Sequence, residues 1–134
     1  MILVIDANIL FSALIKNSVT TEIILEGDVQ LFAPEFIIQE FFKYEELIMN
    51  KTNRTREEIV TIMHQLKDLI NVVPQEEYSK FIKKAELISP DEKDVMYFAL
   101  ALKLNCGIWS NDKKLKEQKD IQIYSIKEIL EILL

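Results

Sequence analysis

The sequence predicts an α/β fold whose mostly parallel central sheet is covered by helices on both faces, and three observations carry that prediction. Short apolar strand signals recur along the chain, helical patterns fill the intervals between them, and several of the helices open on well-defined start signals. Alternation of this kind buries every apolar face most simply when the strands run parallel in one sheet.

Each element follows from local chemistry. Ile2 to Ile5 is a short apolar strand stopped by Asp6, a good N-cap for a helix over Ala7 to Lys16. Gln30 to Ala33 forms the second strand, and Pro34 suits the first position of the helix behind it. An amphipathic helix spans Asn53 to Ile70, where Thr55-x-x-Glu58 matches a capping box. Asn71 to Val73 is the third strand, and Pro74 to Leu87 a further amphipathic helix. Ser89-Pro90-Asp91-Glu92 then combines a capping box with a first-turn proline, ahead of the helix Asp94 to Leu104. Within that helix the uninterrupted apolar run Val95 to Leu102 is too short to cross a bilayer and suits a buried helix. Gly107 to Ser110 and Gln122 to Tyr124 complete the strands, with a short helix Lys113 to Glu117 between them and a last capping box at Ser125-x-x-Glu128.

At 134 residues and 49% hydrophobic, the chain fits a single domain over 1–134, large enough to bury a core without staples. One cysteine, Cys106, rules out an internal disulfide framework, points to a reducing setting, and is best explained as a small buried hydrophobe. The apolar start is broken at once by Asp6 with no basic region before it, so neither a secretory signal nor a membrane partner is expected, and the cytoplasm is the expected location. Only Gly27 and Gly107 occur, too few for a phosphate-cradling loop or a dinucleotide fingerprint. The one histidine, His64, lies mid-helix and is expected to be a partly exposed structural residue, which leaves triad chemistry without a base.

The chemistry concentrates in four carboxylates, Asp6, Glu40, Asp94 and Asp112, each at a strand-to-helix junction or early in a helix. Three of them adjoin strongly apolar segments, where an acid is costly unless its charge is compensated. A divalent cation, Mg2+ or Mn2+, held by oxygen ligands is the simplest compensation. In open parallel sheets ligands bind outside the carboxyl ends of the strands, so Asp6 and Asp112 should meet at one sheet edge, faced by the helices that carry Glu40 and Asp94. Capping also accounts for Asp6 and Asp112, and is compatible with ligation because each use takes a different oxygen. Glu40 is either a ligand or an exposed residue beside Gln39. Asp91 and Glu92 sit in a first helical turn, where the macrodipole favours acids; Asp91 is therefore either a cap or a fifth ligand. The net charge of −6 includes those four acids, whose charge two divalent cations would cancel. Basic clusters at Lys51, Arg54 and Arg56, and at Lys113, Lys114 and Lys116, are either solvated faces or nucleic-acid contacts.

Val4-Ile5-Asp6-Ala7-Asn8-Ile9-Leu10-Phe11-Ser12, Asp94 with the Ala99-Leu100-Ala101-Leu102 helix behind it, and Trp109-Ser110-Asn111-Asp112 together resemble the PIN-domain nucleases over nearly the whole chain. The resemblance implies a three-layer α/β/α PIN-like fold and a Mg2+- or Mn2+-dependent endoribonuclease that hydrolyses RNA phosphodiester bonds. It implies Asp6, Glu40, Asp94 and Asp112 as catalytic metal ligands, with Asn8 and Ser110, and Ser12 as a third polar neighbour, orienting them. It further implies either a VapC-type toxin blocked by a small antitoxin or an RNA-maturation role, and a homodimer. For that dimer Phe41, Phe42, Tyr44, Leu47, Ile48 and Met49 supply more apolar surface than one buried stripe requires. The alternatives are an inactive PIN-fold binding module, disfavoured because all four acids are kept, and a haloacid-dehalogenase-like phosphatase, which needs an aspartate where Asn8 stands.

Overall fold

A computed structural model describes residues 1–15 and 19–133. Five strands, β1 (Ile2–Ile5), β2 (Gln30–Pro34), β3 (Ile70–Val73), β4 (Gly107–Trp109) and β5 (Ile123–Tyr124), form one sheet in the order β3-β2-β1-β4-β5. All four strand pairs are parallel, with Val4 opposite Phe32 on one side and Ile108 on the other. Between them run α1 (Ala7–Ile15), α2 (Val19–Glu26), α3 (Phe36–Thr52), α4 (Arg56–Leu69), α5 (Ile82–Ile88) and α6 (Val95–Leu104), and α7 (Ile126–Leu133) closes the chain. The expected end of the first helix at Lys16 lies outside the described residues.

The connections β1 to β2 to β3 step one way across the sheet, and those from β3 to β4 to β5 step the other way. Right-handed crossovers then put α1 to α4 on one face and α5 and α6 on the other, in keeping with the packing of α1 on α3 and of α5 on α6. The result is a three-layer α/β/α fold. Helix α6 holds its centre. Tyr97, Phe98, Ala99, Leu100 and Ala101 are buried in succession, as a helix apolar all round requires. Truncating Phe98 to alanine there is worth about 3–5 kcal/mol. Gly107 opens β4 where a Cβ would meet the Tyr124 ring at 2.6 Å and the Gln122 carbonyl at 2.7 Å. Among the described residues no helix is long and apolar enough to cross a membrane.

The capping boxes at Thr55 and Ser125 both form, the second with the Glu128 N–H donating to Ser125 Oγ at 3.2 Å. Four expectations need correction. Pro34 ends β2 rather than starting a helix: the β1–β2 pairing has stopped at Phe32, so no partner on that side needs its missing N–H. Asn53 is the left-handed cap that terminates α3, so the next helix waits for Thr55. The segment Pro74 to Leu87 is not one helix, because Gln75–Glu77 and Ser79–Phe81 are 3-10 turns and only Ile82–Ile88 is α-helical. No box forms at Ser89, whose hydroxyl donates to the Asp91 carbonyl at 2.6 Å, and Asp91 itself is the cap.

Candidate active site

Strand order reverses between β1 and β4, which opens a crevice at their carboxyl ends. Asp6 stands there. Its N–H extends the ladder by donating to the Trp109 carbonyl at 3.0 Å, while its carbonyl accepts the Ile9 and Leu10 N–H groups at 3.1 and 3.3 Å. A strand bond and a helix start thus fix one residue, and its buried side chain projects from a rigid junction. Ser110 follows β4 in the same way. Its buried hydroxyl donates to Asp6 Oδ2 at 2.7 Å and accepts the Asp112 N–H at 3.1 Å, so one oxygen ties the two aspartates together. The exposed Asp112 caps a 3-10 turn at Lys113–Glu117, its Oδ1 accepting the Lys114 N–H at 3.0 Å.

Glu40 enters from the second turn of α3 and Asp94 from the start of α6. Asp94 occupies the cap position without using its side chain as a cap. Asp91 does the reverse. Its Oδ1 accepts the Lys93 N–H at 3.0 Å, and its Oδ2 lies 3.5 Å from Lys114 Nζ. All five acids line one cleft of about 230 Å³, with Asn8, Lys93, Phe36, Tyr44 and Tyr97 completing its walls. Ser110 lies behind it, and Ser12 is exposed on α1 and does not join the lining.

The charges are uneven. Burial first, and then Asp6, Asp91 and Asp112, push the Asp94 carboxyl up to about 7 against a weaker pull from Lys114. Burial also raises Asp6, opposed by the Ser110 hydroxyl and the Asn8 N–H, while Asp112 adds to the rise. Asp91 is held below the carboxylate range, chiefly by the Lys93 N–H and further by Lys114. Asp91 is therefore a satisfied anion, whereas the charged forms of Asp6 and Asp94 are only partly compensated by the protein.

Among the described residues, no three acidic, histidine or cysteine side chains stand close enough to share one ion as they lie. The donor chemistry nonetheless suits a hard cation, because the acids around the cleft offer only oxygen and Mg2+ is content with one or two direct carboxylates plus water. Asp6, Glu40, Asp94 and Asp112 would hold it.

Of the basic clusters, Arg54 donates to the Leu14 carbonyl at 2.7 Å and Arg56 to Glu45 at 2.7 Å, so both are structural. Lys114 pairs with Asp91 at the cleft, and Lys116 pairs with Glu128. His64 is exposed on α4 and lines a separate apolar groove with Phe41 and Phe42. Cys106 is half-buried at the other end of the sheet, and burial pushes its thiol up to about 11. Sequence reasoning missed Phe36, Tyr44, Lys93 and Tyr97 as cleft residues. A signal existed for Tyr97, which lies three residues after Asp94 on one helix and so shares its face.

The profile of the PIN domain matches residues 4–124, and the chain belongs to the PIN-domain family. Domains of this family are generally nucleases that use divalent metals. No curated protein matches the chain significantly. Among solved structures it is similar to a chain in the crystal structure of VapBC2 from Rickettsia felis bound to a DNA fragment from their promoter, at TM-score 0.67 and 12% identity, over 93% of this chain and 98% of that one. At that identity the likeness is one of fold.

Proposed function

We propose that this chain is a Mg2+- or Mn2+-dependent endoribonuclease that hydrolyses RNA phosphodiester bonds. One observation carries the proposal: Asp6, Glu40, Asp94 and Asp112 surround a single cleft at the reversal of strand order, with Asp6 and Asp94 held above their ordinary pKa values. Such a concentration of partly compensated acid is expensive in a folded chain unless it binds something positive. When bound, the cation supplies a water of lowered pKa as the nucleophile. The chain's own residues position it. Ser110 ties the Asp6 carboxylate to the Asp112 backbone, Asn8 lies beside them, and Lys93 on the cleft wall would meet a phosphate oxygen of the RNA. Cleavage of a labelled RNA in Mg2+ or Mn2+ that stops on chelation is the expected result. Cleavage continuing unchanged in excess EDTA overturns it.

The intact acid set favours this proposal over an inactive binding module, which would show no gain in stability with Mn2+. The neighbouring VapBC2 structure favours a toxin restrained by a small antitoxin, and the cytoplasm is its proposed location. A small gene immediately upstream whose product suppresses cleavage is then expected, and indifference of the purified chain to that product would instead favour an RNA-maturation role. We further propose a homodimer through α3. Phe41 and Ile48 are buried in the core, which leaves Phe42, Tyr44 and Leu47 as its exposed apolar surface. Equilibrium sedimentation giving a monomer at roughly tens of micromolar would remove the dimer.

A further inference from the structure

The Tyr97 side chain is buried, its residue only 3% exposed, and its hydroxyl finds no hydrogen-bond partner among the described residues. A buried hydroxyl left unpaired costs roughly 1–3 kcal/mol, so an orphan on the wall of a functional cleft calls for a partner that this state does not supply. The Ala7 N–H is nearby but outside hydrogen-bonding geometry.

The surroundings limit the choice of partner. Asp6 already accepts the Ser110 hydroxyl at 2.7 Å, with the Asn8 N–H close to the same carboxylate. On α3, Phe36 and Glu40 are four residues apart and therefore share a helix face. The Phe36 ring meets the Tyr97 ring nearly edge-on, with centroids 6.4 Å apart and planes at 77°. That contact sets the face carrying Glu40 opposite Tyr97, and both residues line the same cleft. An ordinary phenol is neutral near pH 7 and is therefore a donor to a carboxylate. None of the three ion pairs found among the described residues engages Glu40.

We propose that Tyr97 is a positioning residue whose hydroxyl donates to the Glu40 carboxylate when a divalent cation draws that side chain into the cleft. A glutamate on a helix surface gives up substantial rotamer freedom to hold one ligand geometry, and a buried donor waiting behind it lowers that cost. This inference rests on the cation-binding part of the proposed function.

The test is a double-mutant cycle of Tyr97→Phe and Glu40→Ala, read by Mn2+ calorimetry without RNA and by melting in cation-free buffer. Tyr97→Phe should weaken Mn2+ binding by about 10-fold, in the range of lost outer partners, and leave the cation-free melting temperature unchanged or raised. The double variant should bind Mn2+ no more weakly than Glu40→Ala alone. Losses that multiply in the double variant, wild-type affinity in Tyr97→Phe, or a lower cation-free melting temperature in that variant each overturn the pairing and leave the cation site standing. No Mn2+ uptake by the wild-type chain overturns both.

Discussion

At the carboxyl end of the sheet a cleft of about 230 Å³ is walled by five carboxylates, whereas at the amino end a hollow of about 600 Å³ is walled by residues such as Leu3, Leu104 and Cys106, with Asp120 the one acid in its lining. The smaller space holds the proposed chemistry. At the carboxyl end, strands finish where helices begin, so Asp6 and Asp94 stand at helix starts whose free N–H groups favour negative charge. At the amino end α6 finishes in a left-handed Asn105 and hands on directly to β4, which brings carbonyls and a thiol but no set of acids. Parallel topology makes the two ends chemically unequal, and volume is a poor guide to which one works.

The sharpest way to break this comparison is to neutralise the carboxyl end. Asp6→Asn and Asp94→Asn should each lower the initial rate of RNA cleavage by at least ~100-fold, as expected for direct ligands, with the cation-free fold intact. Cleavage retained in either variant, together with lost thermal stability, would make these acids structural. Asp91→Asn should cost less than ~10-fold at saturating Mn2+, because this acid already has the Lys93 N–H and Lys114 as partners. Equal and severe losses for Asp91→Asn and Asp94→Asn would bring Asp91 into the inner site.

Titration sharpens the same contrast. The folded carboxyl of Asp94 lies near 7, above an unfolded value of about 3.9. Between those values the folded state binds the extra proton, so cation-free stability is greatest at the low end of this window and falls as pH rises from about 4 to 7. Scanning calorimetry should show that slope in the wild type and a flatter one in Asp94→Asn. Above pH 8 the variant should be more stable by only about 1 kcal/mol, since solvent screens a half-exposed carboxylate. A pH-independent wild-type melting temperature would show that Asp94 is not held protonated. Cys106→Ser, at the amino end, has the smallest expected effect: an unchanged cleavage rate, with a collapse in rate showing that the two ends are coupled.

Strand positions were legible in the sequence because short apolar runs bounded by polar residues have few other uses. All five observed strands begin and end within a residue of expectation, and Pro34 is the residue by which β2 runs past it. The acids were legible too, since Glu40 and Asp94 beside apolar stretches lack a cheap structural excuse, although capping alone also accounted for Asp6. Two neighbouring signals competed at Ser89 and Asp91, and only the folded backbone decided which one caps. Likewise Phe41 and Phe42 are adjacent phenylalanines in the chain, yet one is core and the other 56% exposed, because α3 presents one face to the sheet.

By itself the sequence determined the alternation of strand and helix, the residue types available for chemistry, and the end of the sheet at which they would gather. These follow from periodicity and from capping, which act over a few residues. The tertiary structure alone decided that Asp94 feels Asp6 and Asp112, that Ser110 bridges two aspartates, and that Tyr97 keeps a hydroxyl without a partner. Those facts depend on burial and on approach between segments up to 104 residues apart in the chain, such as Asp6 and Ser110. The energy of a buried charge or donor is set by what surrounds it in space.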